Sequence, residues 1–177
     1  GQYEVGRAKI HGGIDISGVG LSSSEKYVYV LCGNTVSIYT LAALFEDCKK
    51  GVAGDALMKV HEGGQATNFK NSMCKWSKLC SEDCLLVVAN YSESISGNKA
   101  RANAAGVVVV AKPSSRVQKT AAIDQIVHAC DWSPSANEAE AIVLGLTRDL
   151  LVIQNVENTL AAGGLVDVQG KIPLLKD

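Results

Sequence analysis

Four cysteines of this chain could supply the ligands of a metal site. Cys74, Cys80 and Cys84 are spaced as C-x5-C-x3-C, and Cys130 could add a fourth thiolate for zinc. Structural zinc sites usually draw their ligands from close pairs such as C-x2-C, and that pairing is missing. Cys74 and Cys130 also each stand two residues before a tryptophan, as equivalent core positions would. We therefore expect buried or turn thiols and no metal ligands.

The histidines and glycines suggest enzymes only weakly. His128 stands two residues before Cys130, but a Cys-His nucleophile also needs an activated thiolate and an orienting acceptor, which the sequence does not supply. His11-Gly12-Gly13 could form an oxyanion loop, yet no G-x-S-x-G motif accompanies it. Neither glycine-rich phosphate-binding motif is satisfied. We expect no catalytic or cofactor-binding residue, and a zinc- or cysteine-dependent enzyme is the alternative from a different class.

Charge and hydropathy exclude other classes. The 177 residues contain 17 Lys and Arg against 18 Asp and Glu, a net charge of −1, which gives no electrostatic footprint for direct nucleic-acid binding. No apolar stretch approaches the roughly 18 to 20 residues of a membrane span, so membrane insertion is not expected. The 47% of hydrophobic residues is ample for a packed core. The apolar neighbours of several cysteines favour a reducing compartment.

The elements that would position these residues are short strands. Tyr27 to Cys32 and Thr35 to Leu41 alternate in polarity around Gly33-Asn34, which predicts a hairpin, and 41–45 has the spacing of a short helical turn. Aliphatic residues dominate the apolar content, as is typical of thin strands. The sequence therefore predicts an all-β protein. Further strands are expected near 56–60, 85–90, 106–111, 141–146, 150–156 and 165–168.

One segment of the chain repeats. Cys74-Lys75-Trp76-Ser77 precedes the apolar run 85–89, and Cys130-Asp131-Trp132-Ser133 precedes the run 141–145, with the tryptophans 56 residues apart. A fainter copy places Leu21-Ser22 where Trp-Ser stands. Such an interval, built from short strands, is typical of a β-propeller. We predict that 1–177 is a single propeller-type segment of about three blades, near 14–60, 72–117 and 125–168.

Three blades do not close a ring. Propellers usually contain about four to eight blades, because closure removes the open sheet edges. We expect the segment to be part of a larger propeller, with the chain a fragment of a longer protein. Two alternatives stay open at this point: the chain is the ordered part of a longer polypeptide, or another chain completes the ring.

The stretch 92–105 is the candidate binding element. It contains Ser, Gly, Asn, Lys and Arg between two predicted strands, and long surface loops of this kind often carry binding. A solvated basic face is the plain interpretation, with an acidic partner segment as the alternative. The basic residues around the stretch are Lys99, Arg101, Lys112, Arg116 and Lys119. The candidate partner-binding residues are Glu93, Asn98, Lys99 and Arg101.

The order of these features carries a family resemblance. A Ser-rich turn, a hairpin and a Leu-rich turn span 22–45, a hairpin interrupted by a polar loop spans 85–112, and Asp131-Trp132-Ser133-Pro134 precedes a short hairpin at 141–156. This order resembles the N-terminal propeller of the cytoplasmic-face FG nucleoporin that docks the DEAD-box helicase of mRNA export. The resemblance covers roughly 16–158. It implies an irregular propeller that recruits the helicase or other complex subunits, at the nuclear pore complex or in the cytoplasm.

The sequence thus predicts a non-catalytic protein–protein interaction scaffold. Rigid blades would hold the connecting loops, and the loops would recognise a partner. A propeller of a membrane-coat or tethering complex would share the same pattern and is an alternative. A structural subunit whose exposed strand edges are completed by another chain is a further one. None of the nucleoporin family's helicase-contacting residues is assigned to a position of this chain.

Overall fold

Three mainly antiparallel sheets carry most of the regular structure. The computed structural model describes residues 6–10, 14–33, 35–61, 69–78, 82–91, 105–133, 141–153, 164–165 and 171–173. Within these ranges the chain forms thirteen strands and one α-helix. The all-β class predicted from the sequence is confirmed.

The first sheet is a meander of four strands in chain order. Its strands are β1 (Ile16–Leu21), β2 (Tyr27–Cys32), β3 (Thr35–Thr40) and β4 (Met58–His61), and every neighbouring pair is antiparallel. The β2–β3 pair is the predicted hairpin, and it turns at Gly33, whose φ of 57° favours glycine.

The helix α1 (Leu41–Lys50) lies between β3 and β4. It begins where the Thr40 hydroxyl accepts a hydrogen bond from the Ala43 N–H at 3.2 Å. It ends at Gly51, which adopts a left-handed φ of 78° and donates its N–H to the Asp47 carbonyl. The helix is ten residues long, twice the turn predicted from the sequence. Within the described ranges, no helix is long and apolar enough to cross a membrane.

The second and third sheets repeat the antiparallel meander. The second has the order β5-β6-β7-β8-β12, and β12, which pairs parallel to β8, follows most of the third sheet in the chain. The third has the order β9-β10-β11-β13 and is antiparallel throughout. The strands of these two sheets are β5 (Phe69–Trp76), β6 (Leu85–Tyr91), β7 (Gly106–Lys112), β8 (Val117–Ile123), β9 (Ala129–Ser133), β10 (Ala141–Gly145), β11 (Asp149–Ile153), β12 (Gly164–Leu165) and β13 (Lys171–Pro173).

The second sheet is stacked between the other two. Leu85, Val87 and Ala89 of β6 pack against the first sheet, whereas Leu86 and Val88 pack against the third. Because both faces are covered, β6 and β7 are continuous apolar runs without alternation. The core towards the first sheet includes Leu31, Val36, Ile38 and Val60, and the core towards the third includes Ile142, Leu144, Leu151 and Ile153.

Neighbouring sheets approach most closely at their first strands. β1 lies against β5, and β5 lies against β9. The outer face of the first sheet is covered in part by α1 and by residues 6–10, because Leu44 and Ile10 pack on Val30 and Tyr39. The three sheets are therefore joined along one edge, where the first strand of each begins the repeat.

Strands β1, β8 and β13 were not predicted from the sequence. Gly18 and Gly20 both lie within β1, where Leu31 lies over Gly18 and the Tyr29 ring covers Gly20. A Cβ atom on Gly20 would lie 2.4 Å from Tyr29 Cε1, so glycine here permits close packing of the ring. Strand β8 begins with the exposed residues Val117 and Gln118, and only its last residues include buried ones. It therefore does not form an apolar run in the sequence.

Candidate interaction site

The four predicted partner-binding residues belong to the connection between β6 and β7. Glu93, Asn98, Lys99 and Arg101 lie outside the described residues, so their assignment stays a prediction. The structure does describe both ends of this connection, and these ends fix where the connecting residues leave and rejoin the second sheet.

A buried carboxamide holds the first end. The Asn90 side chain accepts a hydrogen bond from the Val127 N–H at 2.9 Å and donates one to the Val127 carbonyl at 2.8 Å. Val127 lies in the segment that leads from β8 to β9, that is, from the second sheet to the third. Asn90 therefore joins the end of β6 to the segment that leads into the third sheet and satisfies two buried backbone groups.

Close packing holds the second end. The Ala105 N–H donates to the Ile123 carbonyl at 2.7 Å, directly before β7 begins. A Cβ atom on Gly106 would lie 3.1 Å from both the Ala89 carbonyl oxygen and Asn90 Oδ1. Glycine at this position lets the Asn90 carboxamide and the start of β7 lie side by side. The connection thus starts and ends on a tightly packed base.

The repeated tryptophans join successive sheets through the same hydrogen bond. Trp76 Nε1 donates to the Gly20 carbonyl at 2.8 Å, and Trp132 Nε1 donates to the Lys75 carbonyl at 2.9 Å. Gly20 directly precedes Leu21, and Lys75 directly precedes Trp76. Leu21, Trp76 and Trp132 are the equivalent positions of the sequence repeat, and each acceptor is one residue before that position in the preceding sheet. The repeat in the sequence therefore corresponds to a repeated contact between sheets.

Serine and carboxylate side chains connect the turns of the first two sheets. Ser23 Oγ donates to the Ser77 carbonyl at 2.7 Å, and the Ser24 N–H donates to Asp83 Oδ1 at 3.2 Å. The Ser24 hydroxyl also donates to the other oxygen of Asp83. Ser77 directly follows Trp76 in the sequence, and Ser23 is three residues after Gly20. The bonds between the turns and the bond from the Trp76 indole therefore stabilise the same contact between the first and second sheets.

A second polar group surrounds Glu82. Its carboxylate accepts hydrogen bonds from the hydroxyls of Ser114 and Ser115, the latter at 3.1 Å, and lies 3.9 Å from Lys112 Nζ. The hydrogen bond from Ser114 is the main cause that lowers the pKa of Glu82. Lys112, which the sequence placed in a basic patch, therefore forms an ion pair across the turns. Arg116 lies in the exposed β7–β8 turn with a positive φ of 55°.

The two cysteines of the repeat are partly buried thiols. Burial raises the pKa of Cys74 from 9.0 to about 12, with a smaller contribution from Cys130. Burial likewise raises the pKa of Cys130 to about 11. Both thiols are therefore protonated at neutral pH. The thiols of Cys32, Cys48, Cys74 and Cys130 are free.

The other candidates for chemistry are dispersed. His128 is exposed just before β9, and its Nε2 lies 3.3 Å from Thr147 Oγ1. Within the ranges that the structure describes, no group of three or more His, Cys, Asp or Glu residues could hold a metal ion. Cys80 and His11 lie outside those ranges, so the absence of a metal site stays a prediction.

Sequence reasoning missed the role of Asn90. It appeared only as the last residue of a predicted strand, although an amide at the end of the apolar run 85–89 is a recognisable signal of a buried polar group that needs partners. Its partner Val127 is 37 residues away, a distance that the strand pattern does not bridge.

A comparison with models of known protein families gives no match, and a comparison with curated proteins gives none either.

Proposed function

We propose that this chain is a segment of a larger β-propeller and serves as a non-catalytic docking platform for a protein partner. The observation that carries the proposal is the repeated indole-to-carbonyl bond, made by Trp76 to Gly20 and by Trp132 to Lys75. A scaffold of repeated, mutually fixed sheets can hold connecting segments in constant positions, which is the usual basis of recognition by loops.

Three further features support the propeller. Each sheet is built around an antiparallel meander of consecutive strands, as propeller blades are. The sheets stack face to face through apolar side chains, and their first strands lie next to one another. The same repeat position, Leu21, Trp76 or Trp132, ends or nearly ends each first strand. An arrangement of this kind can be extended by further sheets on either side.

The docking role is supported by the base of the β6–β7 connection. Asn90 and Gly106 fix its two ends within the core, between the second and third sheets. A segment with fixed ends loses less conformational freedom when a partner binds, which favours affinity. The candidate recognition residues in it are Glu93, Asn98, Lys99 and Arg101.

The partner class comes from the family resemblance. The proposed assembly is that of the nuclear pore and mRNA export, with a DEAD-box helicase as the partner and the nuclear pore complex or cytoplasm as the location. The near-neutral net charge of −1 agrees with a protein partner rather than a bare nucleic acid.

Titration calorimetry with a purified RNA-free DEAD-box export helicase tests this function. The double variant Lys99→Glu/Arg101→Glu reverses two charges of the connection. The control Lys26→Glu/Arg148→Glu makes the same change of net charge at two exposed turn positions. We expect the wild type to bind, the first variant to raise Kd at least about tenfold, and the control to change it less than about twofold.

Two results would contradict the proposal. Absence of binding by the wild-type chain would remove the helicase as its partner. Equal weakening by both double variants would show that net charge, and not the β6–β7 connection, governs the interaction.

A further inference from the structure

The first strand of the first sheet presents apolar side chains to solvent. The side chain of Val19 is 62% exposed and that of Leu21 is 48% exposed. Val19 is opposite Val30 and Leu21 is opposite Val28 in the β1–β2 pair. Since opposite residues point to the same face and Val28 and Val30 face away from the second sheet, Val19 and Leu21 do so as well.

The repeat shows what such positions do elsewhere. Leu21 corresponds to Trp76 and Trp132, and Val19, two residues earlier, corresponds to Cys74 and Cys130. In the second and third sheets these positions pack against the preceding sheet. In the first sheet they have the same orientation, but both side chains remain exposed. The face of β1 is therefore a sheet-packing surface on which none of the described sheets lies.

The helix α1 and residues 6–10 cover only part of the outer face of the first sheet and leave the β1 side chains exposed. Leu44 of α1 and residues of the 6–10 segment pack on β2 and β3, at Val28, Val30 and Tyr39. They do not bury Val19 or Leu21 of β1. Successive sheets of this molecule approach most closely at their first strands, so the open part of the face is where an incoming sheet would make its closest contact.

The third sheet offers the complementary surface at the other end of the stack. Its alternate residues Val143, Leu150 and Val152 point away from the second sheet and are only partly buried. The carbonyl of Asp131 stands one residue before Trp132, as the carbonyls of Gly20 and Lys75 stand before the repeat positions of their sheets. The third sheet thus presents the same kind of face that the first and second sheets present to their successors.

We propose that the sheet that packs on the β1 face is the third sheet of a second copy of this chain. Each copy would place its β1 face, at Val19 and Leu21, on the outer face of the partner copy's third sheet. Two such head-to-tail contacts close two stacks of three sheets into one ring of six. Six lies within the usual range of about four to eight blades, and head-to-tail contacts that close give a ring rather than a filament.

The proposal rests on the propeller-type stacking of the proposed function and not on its partner. Ring closure can therefore fail while helicase binding persists, and the reverse is equally possible. Leu21 has no indole N–H, so the contact between copies lacks the hydrogen bond that Trp76 and Trp132 make within the chain. The Leu21→Trp variant would supply that donor for the Asp131 carbonyl.

Sedimentation equilibrium of the full 177-residue chain tests the proposal, over about 1 to 200 µM. We expect the wild type to pass from the chain mass of 18.6 kDa to twice that mass and no further. Leu21→Lys should remain monomeric, whereas Leu21→Trp should lower the dimer Kd at least about tenfold, because it adds one hydrogen bond at each of the two contacts. Val117→Lys is the matched control, since Val117 is 47% exposed on β8, and it should dimerise as the wild type does.

Three outcomes would overturn the proposal. The first is a wild-type chain that stays monomeric over the whole range. The second is growth beyond two copies, which would mean that the contacts do not close. The third is a Leu21→Lys variant, folded by circular dichroism, that dimerises as tightly as Val117→Lys.

Discussion

The indole Nε1 of Trp132 donates a hydrogen bond of 2.9 Å to the backbone carbonyl of Lys75, the residue directly before Trp76. Trp76 makes the corresponding bond of 2.8 Å to Gly20, directly before Leu21. Trp76, the donor between the first and second sheets, thus directly follows Lys75, the acceptor between the second and third sheets. Successive sheets are held at a fixed offset along their first strands, so the repeat in the sequence and the repeat in the packing have the same phase.

Replacement of either tryptophan by phenylalanine should weaken one sheet junction. Trp76→Phe removes the donor to Gly20 and part of the ring that packs against Tyr29, whose centroid is 6.4 Å away. We expect urea unfolding to show a loss of about 1 to 2 kcal/mol in the free energy of unfolding, and a similar loss for Trp132→Phe. Phe45→Leu, at an exposed site of α1, should change it by less than about 0.5 kcal/mol. If both tryptophan variants had the free energy of unfolding of the wild type, the indole hydrogen bonds would not stabilise the stack of sheets.

Removal of the Asn90 carboxamide should be more costly. Asn90→Ala leaves the N–H and carbonyl of Val127 without their buried side-chain partner. We expect a decrease of about 2 to 4 kcal/mol in the free energy of unfolding, measured by urea titration. Gln118→Ala, an exposed substitution on β8, serves as the control and should have little effect. A loss no larger than that of the control would mean that water or a shifted backbone replaces the carboxamide.

Alanine at Gly106 should disturb the same base through sterics. The added Cβ would lie 3.1 Å from the Ala89 carbonyl oxygen and from Asn90 Oδ1, closer than a normal contact. We expect a loss of about 1 to 3 kcal/mol in thermal or urea unfolding. Gly145→Ala is the matched control in β10, because its nearest neighbour would be Ala129 Cβ at 3.5 Å, an ordinary contact. Equal stability of the two variants would contradict the tight packing at the start of β7.

Thiol alkylation should distinguish the folded from the unfolded state at the repeat cysteines. Burial raises the pKa of Cys74 to about 12 and that of Cys130 to about 11, so little thiolate is present at pH 8. We expect iodoacetamide to modify both at least about tenfold more slowly in the native protein than in urea, measured site by site by mass spectrometry. Equal rates in the two states would show that these thiols are not buried in the stack.

The same pKa values predict how stability depends on alkaline pH. The pKa of Cys74 is higher in the folded state, so between pH 9 and about 12 the unfolded state has lost a proton that the folded state keeps. The contribution of Cys74 is therefore constant below pH 9, and it decreases as the pH rises towards 12. Urea titrations at several pH values should show a shallower decrease for Cys74→Ala than for the wild type. Parallel curves would contradict this assignment.

The sequence predicted the strands whose apolar pattern is characteristic of strands alone. The alternating hairpin at 27–40 and the apolar runs of β6 and β7 predicted strands correctly, because period-two alternation and short, β-branched apolar runs are both typical of strands. The pairing of Trp76 with Trp132 as equivalent positions is confirmed by their equivalent hydrogen bonds.

Other features depend on contacts that a linear pattern does not contain. Strand β1 was not predicted because the Tyr29 ring that covers its Gly20 is contributed by the next strand. The Asn90–Val127 pair joins residues 37 positions apart. The hydrogen bonds of Ser24 and Asp83 join turns of different sheets, so neither turn predicts them alone.

Hydrogen exchange of the two indole N–H groups tests the stacking of the sheets most directly. The chain contains only two tryptophans, so a ¹⁵N-labelled sample gives two indole signals, which Trp76→Phe assigns. Since both groups donate to backbone carbonyls of the preceding sheet, we predict that both exchange at least about tenfold more slowly than free tryptophan. Exchange of both signals at the rate of free tryptophan would contradict the repeated junction and the three-sheet stack built on it.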